Sequence, residues 1–264
     1  MTSSSSPKPT RTFQADQLEV RLHDRQASMA QDAAQQARDF LRDTIARRGG
    51  VSMILAAANS QIQFLDAIVA LGGVDWSKVS CFHMDEYLGI RPDHPASFRR
   101  FMRERVEDRL HPGVFHYLQG DAMEPLSECD RYSALLTEQK VDLCCLGIGE
   151  NGHIAFNDPP VARFDDPRRV KIVKLDEACR RQQVGEGHFP DLNAVPQYAV
   201  TLTIPMLCDV HRMLCIVPEA RKAQAVKDAL ERPVSTACPA SWLRCQKHCT
   251  LFLDADSAGL LSPA

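Results

Sequence analysis

Residues 146–160, LGIGENGHIAFNDPP, bring together side chains suited to moving protons: His153, with Asn151 two positions before it and Asp158 five after. An imidazole ionises near pH ~6.5, so it can accept and return a proton at neutral pH. Asp85, which with Glu86 follows the run KVSCFHM, is a second candidate. A carboxylate at a strand end can act as a general base, and it can also cap or hydrogen-bond the turn that follows. Asn59 and Ser60 stand where the apolar run VSMILAAA gives way to a helix. The free N–H groups of a starting helix suit a phosphate, although both residues are also good N-caps. Lys222 adds a cation just after the run MLCIV, where a lone lysine on a helix is ordinarily only solvated.

The elements that would position these residues follow from periodicity. Strands are expected over 51–56, 78–84, 114–118, 141–148, 169–175, 198–204, 213–217 and 249–253. Helices are expected over 27–48, ended by Gly49-Gly50, from near Ser60, from Ser97, over 127–140, from Asp176, and over 218–231. This strand–helix order predicts an α/β fold: a doubly wound, mostly parallel, Rossmann-like sheet with helices on both faces. Ligands of such sheets sit beyond the carboxyl ends of the strands, which is where the candidate residues fall. No repeat or linker divides the chain, so a single domain is expected over 19–264, after a disordered Ser/Pro-rich arm at 1–18.

The 34 acidic and 31 basic residues give a net charge of −3, which argues against nucleic acid or an anionic membrane as a partner and favours a small molecule. No apolar run approaches the ~20 residues of a membrane span, and the first residues lack the apolar core of a signal peptide, so a cytoplasmic location is expected. Of the ten cysteines, Cys144, Cys145 and Cys215 lie in apolar runs and are expected as buried thiols. Cys238, Cys245, His248 and Cys249 have ligand-type side chains, but their spacing matches none of the common zinc patterns, and no metal is expected.

FHMDEYLG at 82–89, with LGIGENGHIAFNDP at 146–159, resembles the glucosamine-6-phosphate deaminase family, within the wider group that includes 6-phosphogluconolactonase. The likeness covers roughly residues 30–255, and the HIAFN continuation favours the deaminase branch. The resemblance implies conversion of an amino-sugar phosphate to a ketose phosphate and ammonia without a cofactor. It implies that His153 opens the sugar ring, that Asn151 and Asp158 orient it, and that Asp85 moves a proton from C2 to C1. Lys222 would then hold the substrate, and the Asn59/Ser60 turn would bind its phosphate. The galacto epimer is an alternative substrate, and a non-catalytic sugar-phosphate sensor is an alternative function. The resemblance is compatible with a homo-oligomer.

Some positions depart from the family pattern. Asn151 stands where well-studied members have aspartate, and Asp158 where glutamate is commoner. AAANSQ replaces a turn containing glycine and threonine, and the arginine expected after Leu175 has only Arg180 and Arg181 near it, out of register. The chain stops soon after its last expected strand, which implies an enzyme without amino-sugar allosteric control.

Overall fold

In the computed structural model, which describes residues 7–262, the apolar runs become strands and helices pack on both sides of them. A hairpin of β1 (Arg11–Ala15) and β2 (Leu18–Leu22) leads into α1 (Gln26–Arg48), β3 (Val51–Leu55), α2 (Ile62–Leu71), β4 (Val79–His83) and β5 (Asp85–Tyr87). Next come α3 (Phe98–Met102), α4 (Asp108–Leu110), β6 (Val114–His116), α5 (Pro125–Glu138), β7 (Leu143–Leu146) and β8 (Val170–Lys174). They are followed by α6 (Glu177–Gly185), β9 (Tyr198–Leu202), α7 (Ile204–Cys208), β10 (Arg212–Val217), α8 (Ala223–Glu231) and β11 (Cys249–Leu253).

Eight strands form one sheet in the order β1-β2-β11-β10-β7-β3-β4-β6, parallel except for the β1–β2 hairpin. Both faces are covered, which is why the central strands read as unbroken apolar runs. Cys144 and Leu146 join Ile54, Phe82 and Val217 in one core, capped by α5 and α8. Leu143 and Cys145 join Met53, Leu55 and Ile216 in the other, under α1 and α2. All ten cysteines are free, and burial pushes the thiols of Cys144, Cys145 and Cys215 up. Helix α1 stops where Gly49 takes φ 78° and its N–H reaches the Ile45 carbonyl at 2.8 Å, a left-handed cap that a side chain would disfavour.

The chain builds outward from β3 through β4 to β6, then returns to β7 on the other side of β3 and continues to β10. This reversal of winding opens a crevice at the carboxyl ends of β3 and β7. The segments leaving β3, β4, β7 and β10, four neighbouring strands, carry Ser60, Asp85, His153 and Lys222.

Two expectations need correction. The disordered arm expected over 1–18 is ordered from residue 11, where β1 begins; residues 1–6 lie outside the described residues. Leu18 and Val20 are buried because β2 extends the sheet beside β11, and Arg244 secures the hairpin turn by donating to Asp16 at 2.8 Å. The strands expected around 169–175 and 198–204 form, but not in the main sheet. β8 and β9 pair antiparallel with each other and with β5 in a separate sheet ordered β5-β9-β8. No helix among the described residues is long and apolar enough to cross a membrane.

Candidate active site

A cleft opens at the carboxyl ends of the central strands. Asp85, His153, Ser60 and Lys222 line it, as do Phe98, Phe156, Gln182, Gln183 and Glu186.

The loop after β7 builds a proton-handling unit. His153 is 8% exposed, and its Nδ1 lies 2.9 Å from Asp158 Oδ1, although the N–H is not aligned for a well-formed hydrogen bond. Asn151 braces both partners. Its Oδ1 accepts the His153 N–H at 3.1 Å, and its Nδ2 donates to Asp158 Oδ1 at 3.0 Å and to Asp176 Oδ2 at 3.4 Å. Asp158 is fully buried and also accepts the Asp176 N–H at 3.0 Å. Burial alone would push this carboxyl up, but His153, Asn151 and the Asp176 amide outweigh it and hold the group below the ordinary carboxylate range. Gly149 leaves room for the ring: a Cβ there would lie 2.2 Å from His153 Nε2. Ala155, with φ 49°, is a non-glycine residue in the left-handed region, a local strain of the kind that gathers at functional loops.

The two acids after β4 divide their tasks. Glu86 is fully buried and accepts hydrogen bonds from Tyr87 N–H at 3.0 Å, Phe98 N–H at 3.1 Å, Arg99 N–H at 2.9 Å and Ser97 Oγ at 2.8 Å. It therefore caps α3, whose first amides have no partner within the helix. Asp85 is 6% exposed, and its carboxylate takes no hydrogen bond from the described residues. Burial, with the negative charge of Glu86 beside it, pushes the Asp85 carboxyl well up.

Strand β9 touches both halves of the site. Its Thr201 pairs with Asp85 in the antiparallel ladder, and Thr201 Oγ1 accepts the Phe156 N–H at 3.0 Å. Asn157 Nδ2 donates to the Leu202 carbonyl at 2.8 Å, and Leu202 N–H donates to the Met84 carbonyl at 2.8 Å.

The turn after β3 shows why glycine is dispensable there. No residue from 56 to 61 takes a positive φ; Ala58 is extended at φ −151° and a 3₁₀ turn, Asn59–Gln61, follows. The alanines line the cleft with Ser60, whereas Asn59 faces elsewhere and donates to the Glu186 carbonyl at 3.3 Å. Lys222 is 2% exposed, and burial lowers its pKa while Glu186 and Glu150 counteract.

Sequence reasoning missed Gln182, Gln183 and Glu186. Gln182 Oε1 accepts the Glu150 N–H at 2.9 Å, and Gln183 Oε1 accepts from Tyr87 OH at 2.8 Å. In DEACRRQQ no residue type separates inward glutamines from solvated ones. Neither neighbouring arginine reaches the cleft: Arg180 donates to the Val195 carbonyl at 3.1 Å, and Arg181 pairs with Glu177 on the surface. The ligand-type residues near the C-terminus do not converge, since Cys245 is exposed while Cys238 and Cys249 are buried, and His248 Nε2 sits 3.1 Å from the Cys208 carbonyl. Among the described residues, the ligand-type atoms of His153, Asp158 and Cys179 lie within 4.8 Å of one another.

Residues 24–252 match the family described as glucosamine-6-phosphate isomerases/6-phosphogluconolactonase. A glucosamine-6-phosphate deaminase of Exiguobacterium sibiricum is 37% identical over 189 residues, 72% of this chain and 73% of the relative. One from an Arthrobacter species is 33% identical over 231 residues, 85% of this chain and 87% of the relative. Among solved structures, a monomeric glucosamine-6-phosphate deaminase superposes with a TM-score of 0.84 at 27% identity, covering 91% of this chain and 99% of that one. A 6-phosphogluconolactonase from Shewanella baltica shares the fold at a TM-score of 0.74 and 17% identity, covering 92% and 99%. The matched span, the identities and the fold agree, and this chain belongs to the glucosamine-6-phosphate isomerase/6-phosphogluconolactonase family.

Proposed function

We propose that this chain is a glucosamine-6-phosphate deaminase, converting glucosamine 6-phosphate and water to fructose 6-phosphate and ammonia. The observation that carries the reading is one cleft holding two separate proton-transfer groups: His153 with its buried Asp158, and Asp85, whose carboxylate has no hydrogen-bond partner among the described residues. His153 takes the proton of the anomeric hydroxyl as the C1–O5 bond breaks, and returns it to O5. Asp158 and Asn151 hold the ring in place, as a buried carboxylate orients a catalytic histidine elsewhere. Asp85 then removes the C2 proton while the substrate ammonium passes one of its protons to O1, giving an enolamine, and Asp85 delivers the carbon-bound proton to C1, leaving an iminium at C2. Water adds to the iminium carbon, and ammonia leaves. A carboxylate pushed up by burial is a stronger base than a solvated one and matches this task better at neutral pH.

Lys222 and Ser60 hold the phosphate, the first by charge and the second by its hydroxyl and the adjacent amides. The ten free thiols suit a reducing compartment, so the cytoplasm is the proposed location. The test is ammonia release coupled to detection of fructose 6-phosphate, with the galacto epimer and unphosphorylated glucosamine run alongside. Binding without ammonia release from any amino-sugar phosphate would overturn the proposal in favour of a sensor.

A further inference from the structure

Glu186 is an acid in a cleft that, on the deaminase reading, must hold a phosphate. Its side chain is 4% exposed and lines the same space as Ser60 and Lys222. The carboxylate is held on several sides. Gln182 Nε2 donates to Oε1 at 2.8 Å, Arg221 Nη1 lies 3.4 Å from that oxygen, and His188 Nε2 lies 3.4 Å from Oε2. Burial pushes the Glu186 carboxyl up, but His188, Lys222, Gln182 and Arg221 outweigh it and keep the group ionised at neutral pH. Arg221, the other nearby cation, is also drawn to Glu219 at 2.7 Å and Glu150 at 3.7 Å. The arginines of α6 face away from the cleft, so among the described residues Lys222 is the one lysine or arginine that lines it, and an acid answers it.

We propose that Glu186 is a specificity-determining residue that offsets Lys222 and Arg221, weakening the hold of the cleft on the phosphate and placing more of substrate discrimination on the sugar. This rests on the deaminase reading. An incoming phosphate meets attraction from Lys222 and repulsion from Glu186, both of which line the cleft, so the two contributions oppose each other. A neutral hydroxyl carries no net charge and responds less to either.

The test is Glu186→Gln, which removes the charge and keeps the shape. Calorimetric titration with inorganic phosphate should show binding roughly 10-fold tighter than in the wild type. KM for glucosamine 6-phosphate should fall by a similar factor, with the change carried by KM rather than kcat. The gain should vanish in a Lys222→Met background if Lys222 is the cation released. Glu186→Ala also removes the charge and replaces the glutamine variant if that one does not fold, while Glu186→Asp should stay near wild type. Unchanged or weaker phosphate binding in the uncharged variants overturns the proposal, and so does an equal gain for unphosphorylated glucosamine. Phosphate affinity is read without turnover, so a wild-type protein that releases no ammonia would sink the deaminase reading and leave this comparison intact.

Discussion

Asp85 and Asp158 are both aspartates buried beside one cleft, 6% and 0% exposed, yet burial leaves them in opposite states. Asp158 is surrounded by a ring nitrogen, a side-chain amide and a backbone amide, and stays ionised well into acid. Among the described residues Asp85 has no such donors, and it has a second acid beside it, so its charged form is costly. Burial therefore does not assign a role to a carboxylate; its donors do. The one supplied with donors serves as a fixed orienting charge, and the one denied them as a proton carrier.

Substitutions can break or sharpen that contrast. The largest effect is expected for Asp85→Asn, which should lower ammonia release by roughly 10³-fold. The same variant should be more stable than the wild type at pH 7. An acid with a raised folded pKa contributes stability below its ordinary value and loses it as pH rises through the raised one, so the gap should close near pH ~3. Asp158→Asn should cut kcat by roughly 10²-fold and shift stability the other way, losing about 2–3 kcal/mol at pH 7 with its charged hydrogen bonds. Its carboxyl has a depressed folded pKa, so that stability is present above the ordinary carboxylate value and is lost as pH falls through the depressed one. Urea unfolding of both variants from pH 3 to 8 reads the two signs, and a shift in the same direction would end the contrast.

Gly149→Ala tests the histidine side alone. The added methyl must displace the imidazole, so kcat should drop roughly 10-fold or more while the far-ultraviolet circular dichroism stays unchanged. The smallest effect is expected for Asn151→Asp. Asn151 donates to two carboxylates, Asp158 and Asp176, so an aspartate would place a third acid among them. A several-fold loss of kcat and an acid limb of the pH–rate profile moved upward are expected; unchanged kinetics would show that the amide donors matter little. The same two hydrogen bonds explain why asparagine suits this position in this chain.

The sequence disclosed these features unevenly. LCCLGI announces a buried strand because both of its faces are apolar, and LGIGENGHIAFNDPP announces a site because His153 and Asp158 sit in one turn-rich loop. The β1–β2 hairpin formed against expectation: apolar residues alternate on either side of Asp16-Gln17, and in the structure Asp16 takes φ 52°, which suits a hairpin turn. The Ser/Pro-rich composition of the residues before it hides the pattern. The separate β5-β9-β8 sheet was hidden because pairing partners far apart in the chain leave no local trace. Glu186 was hidden because its residue type does not separate an inward acid from a solvated one, and of the groups that hold it, Gln182, His188 and Arg221, the arginine comes from a distant part of the chain.

Strand β9 carries none of the proposed chemistry, yet Thr201 holds Asp85 through its backbone and the histidine loop through its hydroxyl. It acts as a gauge between two working parts, and its tolerance becomes theirs. A base and an acid referenced to one ladder cannot drift independently, so thermal motion carries them together and their spacing survives. Loosening that gauge should degrade both proton transfers at once, with neither reacting side chain altered.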